Sequence, residues 1–517
     1  MEAEKTIVIG LDGAHFEIIE PWIEQGKLPN IKYIIEGGVT ADMQSVLPPV
    51  TSPNWKAYST GKNPGKLGIF WWENVDMEGK QVYYPDERKN THEEFWELIG
   101  EDSSAGVVNV PTTYPPREVN SFIVSGAPDG KETGYTHPNN LESELRDKFE
   151  YRVTKDRSLK TCPDEAAREI VELIDLRFRA GKDLLDKYDP VFLQITTFYL
   201  NSLHHFFWDD ERTLEGWEVV DRHIGDFLQD DFNVVLMSDH GATEIDTVFH
   251  INAWLEQEGY LTTDMRVAGT MENLGLTKER LLELTSNLGI RDIAKQLTPQ
   301  AVIDRIPSES GEINRESKTA NLDWNASSAL ASGQGPVYIK GDGEKYQQIR
   351  KKLIKALSEL KNPDGKIIAD EVHRGENVFH GAYADEAPDI IIDQADGVHI
   401  QGGLGRQEVF SQPDDDGWQG ENKRDALFVA NGPDFGTGHI DQISILDLAP
   451  TFLHLHGCAV PANMDGEVLK GAFDRDSSPF SRDVSREQTN SKLRKQTKVD
   501  SESSEVRSRL EDLGYLE

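Results

Sequence analysis

The sequence predicts an α/β fold built on a doubly wound sheet with helices on both faces. Short apolar runs that scarcely alternate with polar residues are typical of strands buried on both sides. They occupy residues 6–9, 106–110, 122–124, 191–195, 233–237, 337–339, 390–392 and 427–430. Amphipathic segments at 163–187, 214–228 and 344–360 lie between them and predict helices. This alternation of strand and helix favours a largely parallel sheet.

Two regions interrupt the alternation. Residues 261–325 are polar and helix-leaning without a clear strand, which predicts a helical cap inserted into a core formed by 1–260 and 326–473. Residues 474–517 predict a linker followed by a C-terminal docking helix. The apolar side of that helix carries Val506, Leu510, Leu513 and Leu516.

The composition narrows the classes of partner. The chain has 91 acidic against 54 basic residues and a formal net charge of −37. Because such a chain repels phosphate backbones and anionic lipid surfaces, we expect no nucleic-acid partner. The acidic residues are dispersed along the sequence, a pattern typical of halophilic proteins, whereas an acidic protein from a low-salt cell is the alternative. The 37% hydrophobic content is enough for a packed core.

The remaining global features concern compartment and membranes. Two cysteines, Cys162 and Cys458, exclude a disulfide scaffold and a cysteine-ligated zinc knuckle. No stretch approaches 18 uninterrupted apolar residues, and the opening residues contain no long apolar region, so we expect no membrane span and a cytoplasmic protein. The oligomeric state has no signature in the sequence.

Polar residues follow two of the predicted strands directly. Asp12 follows the strand at 6–9, and Asp239 with His240 follows the strand at 233–237. The carboxyl ends of parallel strands are where α/β proteins collect reactive groups, and carboxylate with imidazole suits a borderline divalent ion such as zinc or manganese. Each cluster also has a structural interpretation, since an aspartate at such a place caps a helix or ties down a turn.

A third segment, residues 48–55, places hydroxyl groups at a predicted helix start. Thr51 lies where backbone N–H groups and the helix dipole favour an anion. A threonine hydroxyl becomes a nucleophile only if its pKa is lowered, which a bound metal achieves. Taken alone, the segment is equally an N-terminal cap followed by a Gly/Pro turn.

Together these motifs resemble the alkaline phosphatase superfamily, closest to its type I phosphodiesterase/nucleotide pyrophosphatase branch. The resemblance covers nearly the whole chain. The further motifs that carry it, each with its residue range, are VNVPTTYPP (108–116), HFFW (205–208), APD (387–389), DLAPT (447–451), MDG (464–466) and LGYL (513–516).

The resemblance implies a two-metal site for phosphoester hydrolysis on an alkaline-phosphatase-like sheet. Asp12, Thr51, Asp239 and His240 match the positions that surround one ion, where Thr51 is the nucleophile and forms a phospho-threonine. In the family, an Asp, a His four residues later and a late His hold the second ion, which serves the release of phosphate.

The sequence departs from that pattern at the second ion. His205 matches the histidine, but Asn201 stands at the position of the aspartate and Asn422 at that of the late histidine. Because neutral amide oxygens replace a charged ligand, we expect the second site to be empty or to hold a hard cation such as magnesium or calcium. The family's phosphate-contacting asparagine falls on Trp72, with Asn74 nearby as a candidate substitute.

These residues are compatible with two functions. The first is a metal-dependent phosphodiester or pyrophosphate hydrolase acting on a small phosphorylated substrate through Thr51, with zinc or manganese at the first site. Sulfatases are one-metal relatives, but they carry a modified cysteine or serine at the position of Thr51. The alternative is a pseudoenzyme of the same fold that binds a phosphorylated or sulfated ligand, or a partner protein, without turnover.

Overall fold

The structure is a computed structural model that describes residues 4–263, 322–414, 417–488 and 503–515. Most of the predicted cap, residues 264–321, lies outside the described residues, as does part of the predicted linker, residues 489–502. The proposed domain boundaries therefore stay predictions.

Within the described residues, nine strands form the central sheet. Seven run in one direction, while Asp425–Asn431 and the short edge strand Thr136–His137 run against their neighbours. In spatial order the strands are Gly438–Ser444, Val39–Gln44, Asp425–Asn431, Asn233–Met237, Thr6–Leu11, Phe192–Thr197, Ala105–Val108, Ser121–Val124 and Thr136–His137. The predicted α/β class with a largely parallel sheet is confirmed.

The first strand shows why helices cover both faces of this sheet. Successive side chains of a strand point to opposite faces. Ile7 and Ile9 join one hydrophobic core, whereas Val8 joins a second core on the other side. Because no face of the strand is polar, each face requires its own layer of helices.

The helices supply those layers. In chain order the described α-helices are Phe16–Glu24, Pro29–Gly37, Thr51–Thr60, Pro64–Leu67, Phe95–Asp102, Leu141–Phe149, Pro163–Tyr188, Tyr199–Phe206, Glu211–Phe227, Ile251–Gln257, Gly343–Glu359, Gly375–Val378, Leu448–Leu455, Ser478–Ser481 and Ser503–Asp512. None of the described helices combines the length and the apolar composition needed to cross a bilayer.

Two of the predicted strands belong to a different sheet. Pro336–Ile339 and Ile390–Gln394 pair with each other, and with Ala329–Ala331 and Ala369–Arg374, in a separate antiparallel sheet. The apolar runs indicated burial correctly but carried no information on which strands pair. The helix Gly343–Glu359 packs on this smaller sheet.

A short ribbon brings two distant segments together at the end of the central sheet. Gly241–Glu244 pairs antiparallel with Gly420–Lys423, which places Ala242 opposite Asn422. The remaining short strands form two small ribbons and one three-stranded sheet; they are Asn74–Asp76 with Gln81–Tyr83, Val460–Pro461 with Arg486–Glu487, and Thr247–His250 between Val398–Gln401 and Phe410–Ser411.

The C-terminal residues separate into two parts. Within the predicted linker, residues 474–488 contain the short helix Ser478–Ser481 and the strand Arg486–Glu487, and Phe480 packs against the core, so this part is not a simple linker. Further along, the helix Ser503–Asp512 lies against the body of the protein, and Leu510 and Leu513 are buried as the apolar pattern predicts.

Candidate functional site

Asp12 comes directly after the first strand, where the chain turns at Gly13 with a positive φ of 70°. Its side chain is completely buried, and its carboxylate accepts a hydrogen bond from the Trp55 indole at 2.8 Å. Burial raises the pKa of Asp12 to about 8, although hydrogen bonds from Trp55 and Thr51 act in the opposite direction. A charged Asp12 carboxylate therefore requires a compensating cation.

Thr51 is the first residue of the helix Thr51–Thr60 and is also completely buried. Its hydroxyl donates to the Asp12 carboxylate at 3.4 Å and lies 3.3 Å from Nε2 of His240. Trp55 stands one turn further along the same helix, so the helix that carries Thr51 also holds Asp12 through the indole. The helix start and the end of the first strand are thereby fixed to each other.

Asp239 and His240 follow the neighbouring parallel strand, Asn233–Met237. His240 donates through Nδ1 to the carbonyl of Gly241 at 2.9 Å, so its Nε2 carries the lone pair. Burial lowers the pKa of His240 to about 4, which keeps the ring neutral. Burial, followed by the charge of Asp12, raises the pKa of Asp239 well above its ordinary value.

The ligand atoms of Asp12, Asp239 and His240 all lie within 4.8 Å of one another. Nε2 of His240 is 3.2 Å from Oδ2 of Asp239, and that oxygen has no hydrogen-bond donor. Lone pairs that face one another without a proton are unfavourable, and a cation between them removes the conflict. These residues therefore fit a divalent metal ion.

A second group of polar side chains adjoins the first. Asn201 and His205 lie one turn apart on the helix Tyr199–Phe206, and Asn422 reaches them from the ribbon. Nδ2 of Asn201 is 3.0 Å from Nε2 of His205 and 3.3 Å from Oδ1 of Asn422. The hydroxyl of Tyr515 completes the group, at 3.1 Å from both Asn201 and His205. We call these four residues the amide–phenol cluster.

The amide–phenol cluster does not fit a second divalent ion. His205 donates through Nδ1 to the Gly420 carbonyl at 2.7 Å, and burial lowers its pKa well below the ordinary value, so the ring is neutral. The two asparagines and the phenol are neutral as well, which leaves the cluster without the negative charge that a dication requires.

The sequence of the chain was compared with models of known protein families. A family model for type I phosphodiesterase/nucleotide pyrophosphatase matches residues 6–422, about four-fifths of the chain. The chain belongs to this family. Membership places it among phosphoester hydrolases that depend on divalent metal ions, in agreement with the resemblance that the motifs indicate.

Comparison with solved structures supports the fold through one match, and a second match is weaker. Phosphonoacetate hydrolase from Sinorhizobium meliloti 1021, in complex with phosphonoformate, is 14% identical with a TM-score of 0.57, over 88% of this chain and 96% of that chain. Murine ectonucleotide pyrophosphatase/phosphodiesterase 5, as an inactive form in complex with AMP, is 15% identical with a TM-score of 0.49, over 91% of this chain and all of that chain. No curated protein sequence matches.

Asn74, the candidate phosphate-contacting residue, is hydrogen-bonded to the backbone. The amide of Asn74 donates to the Gly68 carbonyl at 2.9 Å and accepts from the Phe70 N–H at 3.3 Å. Its side chain holds the turn that follows the helix Pro64–Leu67, so it is already committed to the backbone. Its contact with a phosphate stays a prediction.

Sequence reasoning missed two residues of the site. Trp55 follows Thr51 by one helical turn, a spacing that places both on the same side of the helix. Tyr515 lies in the LGYL motif, but neither that motif nor the apolar pattern of its helix predicts the surface on which the segment docks. Tyr515 also lies beyond residues 6–422, to which the family match is confined.

Proposed function

We propose that this protein hydrolyses a phosphodiester or pyrophosphate bond with Thr51 as the nucleophile and one divalent metal ion in the first site. The observation that carries the proposal is the convergence of Asp12, Asp239 and the unprotonated Nε2 of His240 around the Thr51 hydroxyl. Oδ2 of Asp239 has no hydrogen-bond donor, and it lies beside Nε2 of His240, which is 3.3 Å from the Thr51 hydroxyl.

The chemistry assigned to each residue follows from its position. A bound divalent ion lowers the pKa of a hydroxyl that it touches and draws a phosphoryl oxygen toward it. The Thr51 oxygen would attack phosphorus as its proton passes to the Asp12 carboxylate, and the bond to the alcohol or phosphate leaving group would break. Water would then cleave the phospho-threonine ester, which releases the phosphoryl group and restores the Thr51 hydroxyl. Asp12 accepts from Trp55 and Thr51, so it keeps the hydroxyl oriented. The N-terminus of the helix Thr51–Thr60 favours the negative charge of the phosphoryl group.

The donor set narrows the choice of ion. Two carboxylates, one imidazole nitrogen and one hydroxyl form a mixed oxygen and nitrogen set, which suits manganese or zinc. We propose one of these as the physiological metal of the first site.

The test uses purified protein at high salt with manganese or zinc and a chromogenic phosphodiester. Thr51→Ala should lower kcat by at least about 10³-fold, because removal of a nucleophile leaves only binding and electrostatic catalysis. Ser52→Ala is the matched control: Ser52 is the adjacent buried hydroxyl and has no hydrogen-bond partner. The Ser52→Ala variant should retain activity, and a phosphoryl group trapped on the protein should map to Thr51. Equal loss in both variants would contradict the assignment.

A second candidate is a protein of this family that binds a phosphorylated ligand without turnover. One observation favours it, the neutral amide–phenol cluster at the place where the family's second ion serves phosphate release. Absence of turnover with manganese, zinc, magnesium and calcium, together with ligand binding that survives Thr51→Ala, would establish this alternative.

A further inference from the structure

The Tyr515 hydroxyl lies at the centre of the amide–phenol cluster. Because the Gly420 carbonyl can only accept, Nδ1 of His205 carries the ring proton and Nε2 is an acceptor. The phenol therefore donates to Nε2 of His205 and accepts from Nδ2 of Asn201. A residue near the end of the chain completes, with neutral hydrogen bonds, a position that in relatives is built for a cation.

The Tyr515 ring is held on both sides. Its centroid is 5.2 Å from that of Trp72 and 5.1 Å from that of Trp418. Trp418 in turn stacks on His205 at 3.6 Å, and its indole donates to the Leu513 carbonyl at 2.9 Å. Aromatic pairs of this kind stabilise the packing by more than their buried area alone contributes.

The segment that carries Tyr515 is anchored over its length. Leu510 and Leu513 are buried, and Arg509 donates to the carbonyls of Pro128 and Gly130. Asp512 forms an ion pair with Lys155. Residues 503–515 thus bind to the body of the protein as a specific element rather than as a loose tail.

Tyr515 separates the nucleophile from a cavity. On one side its hydroxyl accepts from Asn201, whose amide oxygen lies against Gly13 beside Asp12, and the Thr51 hydroxyl that donates to Asp12 has no exposed surface. On the other side its ring lines a cavity together with Trp71, Gln334 and His399. The Tyr515 side chain therefore lies between this cavity and the residues beside Thr51.

We propose that residues 503–515 are an internal inhibitor, in which Tyr515 blocks Thr51 and must withdraw before an ester can enter. The proposal rests on the proposed function for the role of Thr51. The inhibitory role falls on residues 503–515, which lie outside the residues matched by the family model.

The block can be measured without any turnover. Thr51→Cys, made in a Cys162→Ser, Cys458→Ser background, places a single thiol at the buried position. Its reaction with a small thiol reagent reports the fraction of molecules in which Tyr515 has withdrawn. Tyr515→Ala should accelerate labelling by about tenfold or more, since the rate scales with the open fraction. Tyr515→Phe should keep it slow, because the ring remains.

Two further variants complete the experiment. Leu513→Ser should accelerate labelling by loosening the segment without altering Tyr515, which covers the case in which Tyr515→Ala fails to fold. Tyr33→Ala changes an exposed tyrosine and should have no effect. Labelling that is fast before any change at Tyr515, or that stays slow in both Tyr515→Ala and Leu513→Ser, would overturn the proposal.

Turnover provides the second arm. With manganese or zinc and a chromogenic phosphodiester, Tyr515→Ala should raise kcat/KM by a similar factor, because the same opening limits access. A fall in kcat in both Tyr515→Phe and Tyr515→Ala would instead make the phenol a catalytic acid and overturn the inhibitor. If no variant turns over substrate, the proposed function fails, whereas the labelling result still decides on the block.

Discussion

Nε2 of His240 faces Oδ2 of Asp239 at 3.2 Å, and this carboxyl oxygen has no hydrogen-bond donor from the rest of the protein. This arrangement is unfavourable in the metal-free protein and becomes favourable with a cation. Added manganese or zinc should therefore stabilise the folded protein, by about 2.7 kcal/mol at a free concentration one hundred times Kd. Thermal unfolding followed during a metal titration measures this.

The matched variants for that prediction are Asp239→Asn and Asp42→Asn. The first removes a charged ligand and should abolish most of the stabilisation, whereas the second changes an exposed carboxylate and should not alter it. Equal stabilisation of both variants would place the ion elsewhere.

The affinity of the first site for a metal ion should rise with pH. Burial raises the pKa of Asp12 to about 8 and that of Asp239 well above its usual range, so the metal-free site holds a proton at pH 7. The ion must displace at least that proton, and its affinity should rise by at least about tenfold per pH unit between pH 6 and 8. The neutral His240, with a pKa of about 4, adds nothing in this range. Titration calorimetry in buffers of different ionisation enthalpy counts the released protons, and an affinity independent of pH would contradict the site.

Restoring the family's ligands should rebuild the second site at a cost. Asn201→Asp together with Asn422→His should allow a second equivalent of zinc, measured by elemental analysis. Without zinc the double variant should be less stable than the parent by about 1–3 kcal/mol, because the new carboxylate lies beside Asp12 and loses the Asn201 donor to Tyr515. Failure to gain a second equivalent would show that the amide–phenol cluster is not the second metal position.

A buried ion pair fixes the helix that carries Thr51. Nζ of Lys56 lies 2.6 Å from Glu94, and both side chains are nearly inaccessible to solvent. Lys56→Met should cost about 3–5 kcal/mol of unfolding free energy, because it leaves the Glu94 charge buried and unpaired. Adding Glu94→Gln should recover part of that loss. Denaturant unfolding of the two variants tests this, and a double variant as unstable as the sum of the singles would argue against the pairing.

The dispersed acidic surface predicts a dependence on salt. With a net charge of −37, self-repulsion is screened only at high ionic strength, so the fold should loosen in dilute buffer. Circular dichroism and melting in molar and in low salt measure the effect. An unchanged melting temperature would contradict the halophilic interpretation and favour an acidic protein from a low-salt cell.

Local patterns predicted the central sheet and the proximity of Asp12, Asp239 and His240. A buried run followed by Asp12, and another followed by Asp239 and His240, place these residues at one edge of a parallel sheet. The separate antiparallel sheet was not predicted, because Pro336–Ile339 is as apolar as a central strand and its partners are set by tertiary packing.

The C-terminal segment shows a different limit of sequence reasoning. The spacing of Leu510 and Leu513 predicted that the segment docks, but helical periodicity does not identify the surface that receives it. Tyr515 reaches Asn201 across more than 300 positions of the chain, and only the folded structure brings the two together.

The most direct test of this account is the metal content of the purified wild-type protein, determined by elemental analysis beside Asp239→Asn. We predict one equivalent of divalent ion in the wild type and a large loss in the variant. Two equivalents in the wild type, or one that survives Asp239→Asn, would contradict a hydrolase built on a single cation held by Asp12, Asp239 and His240.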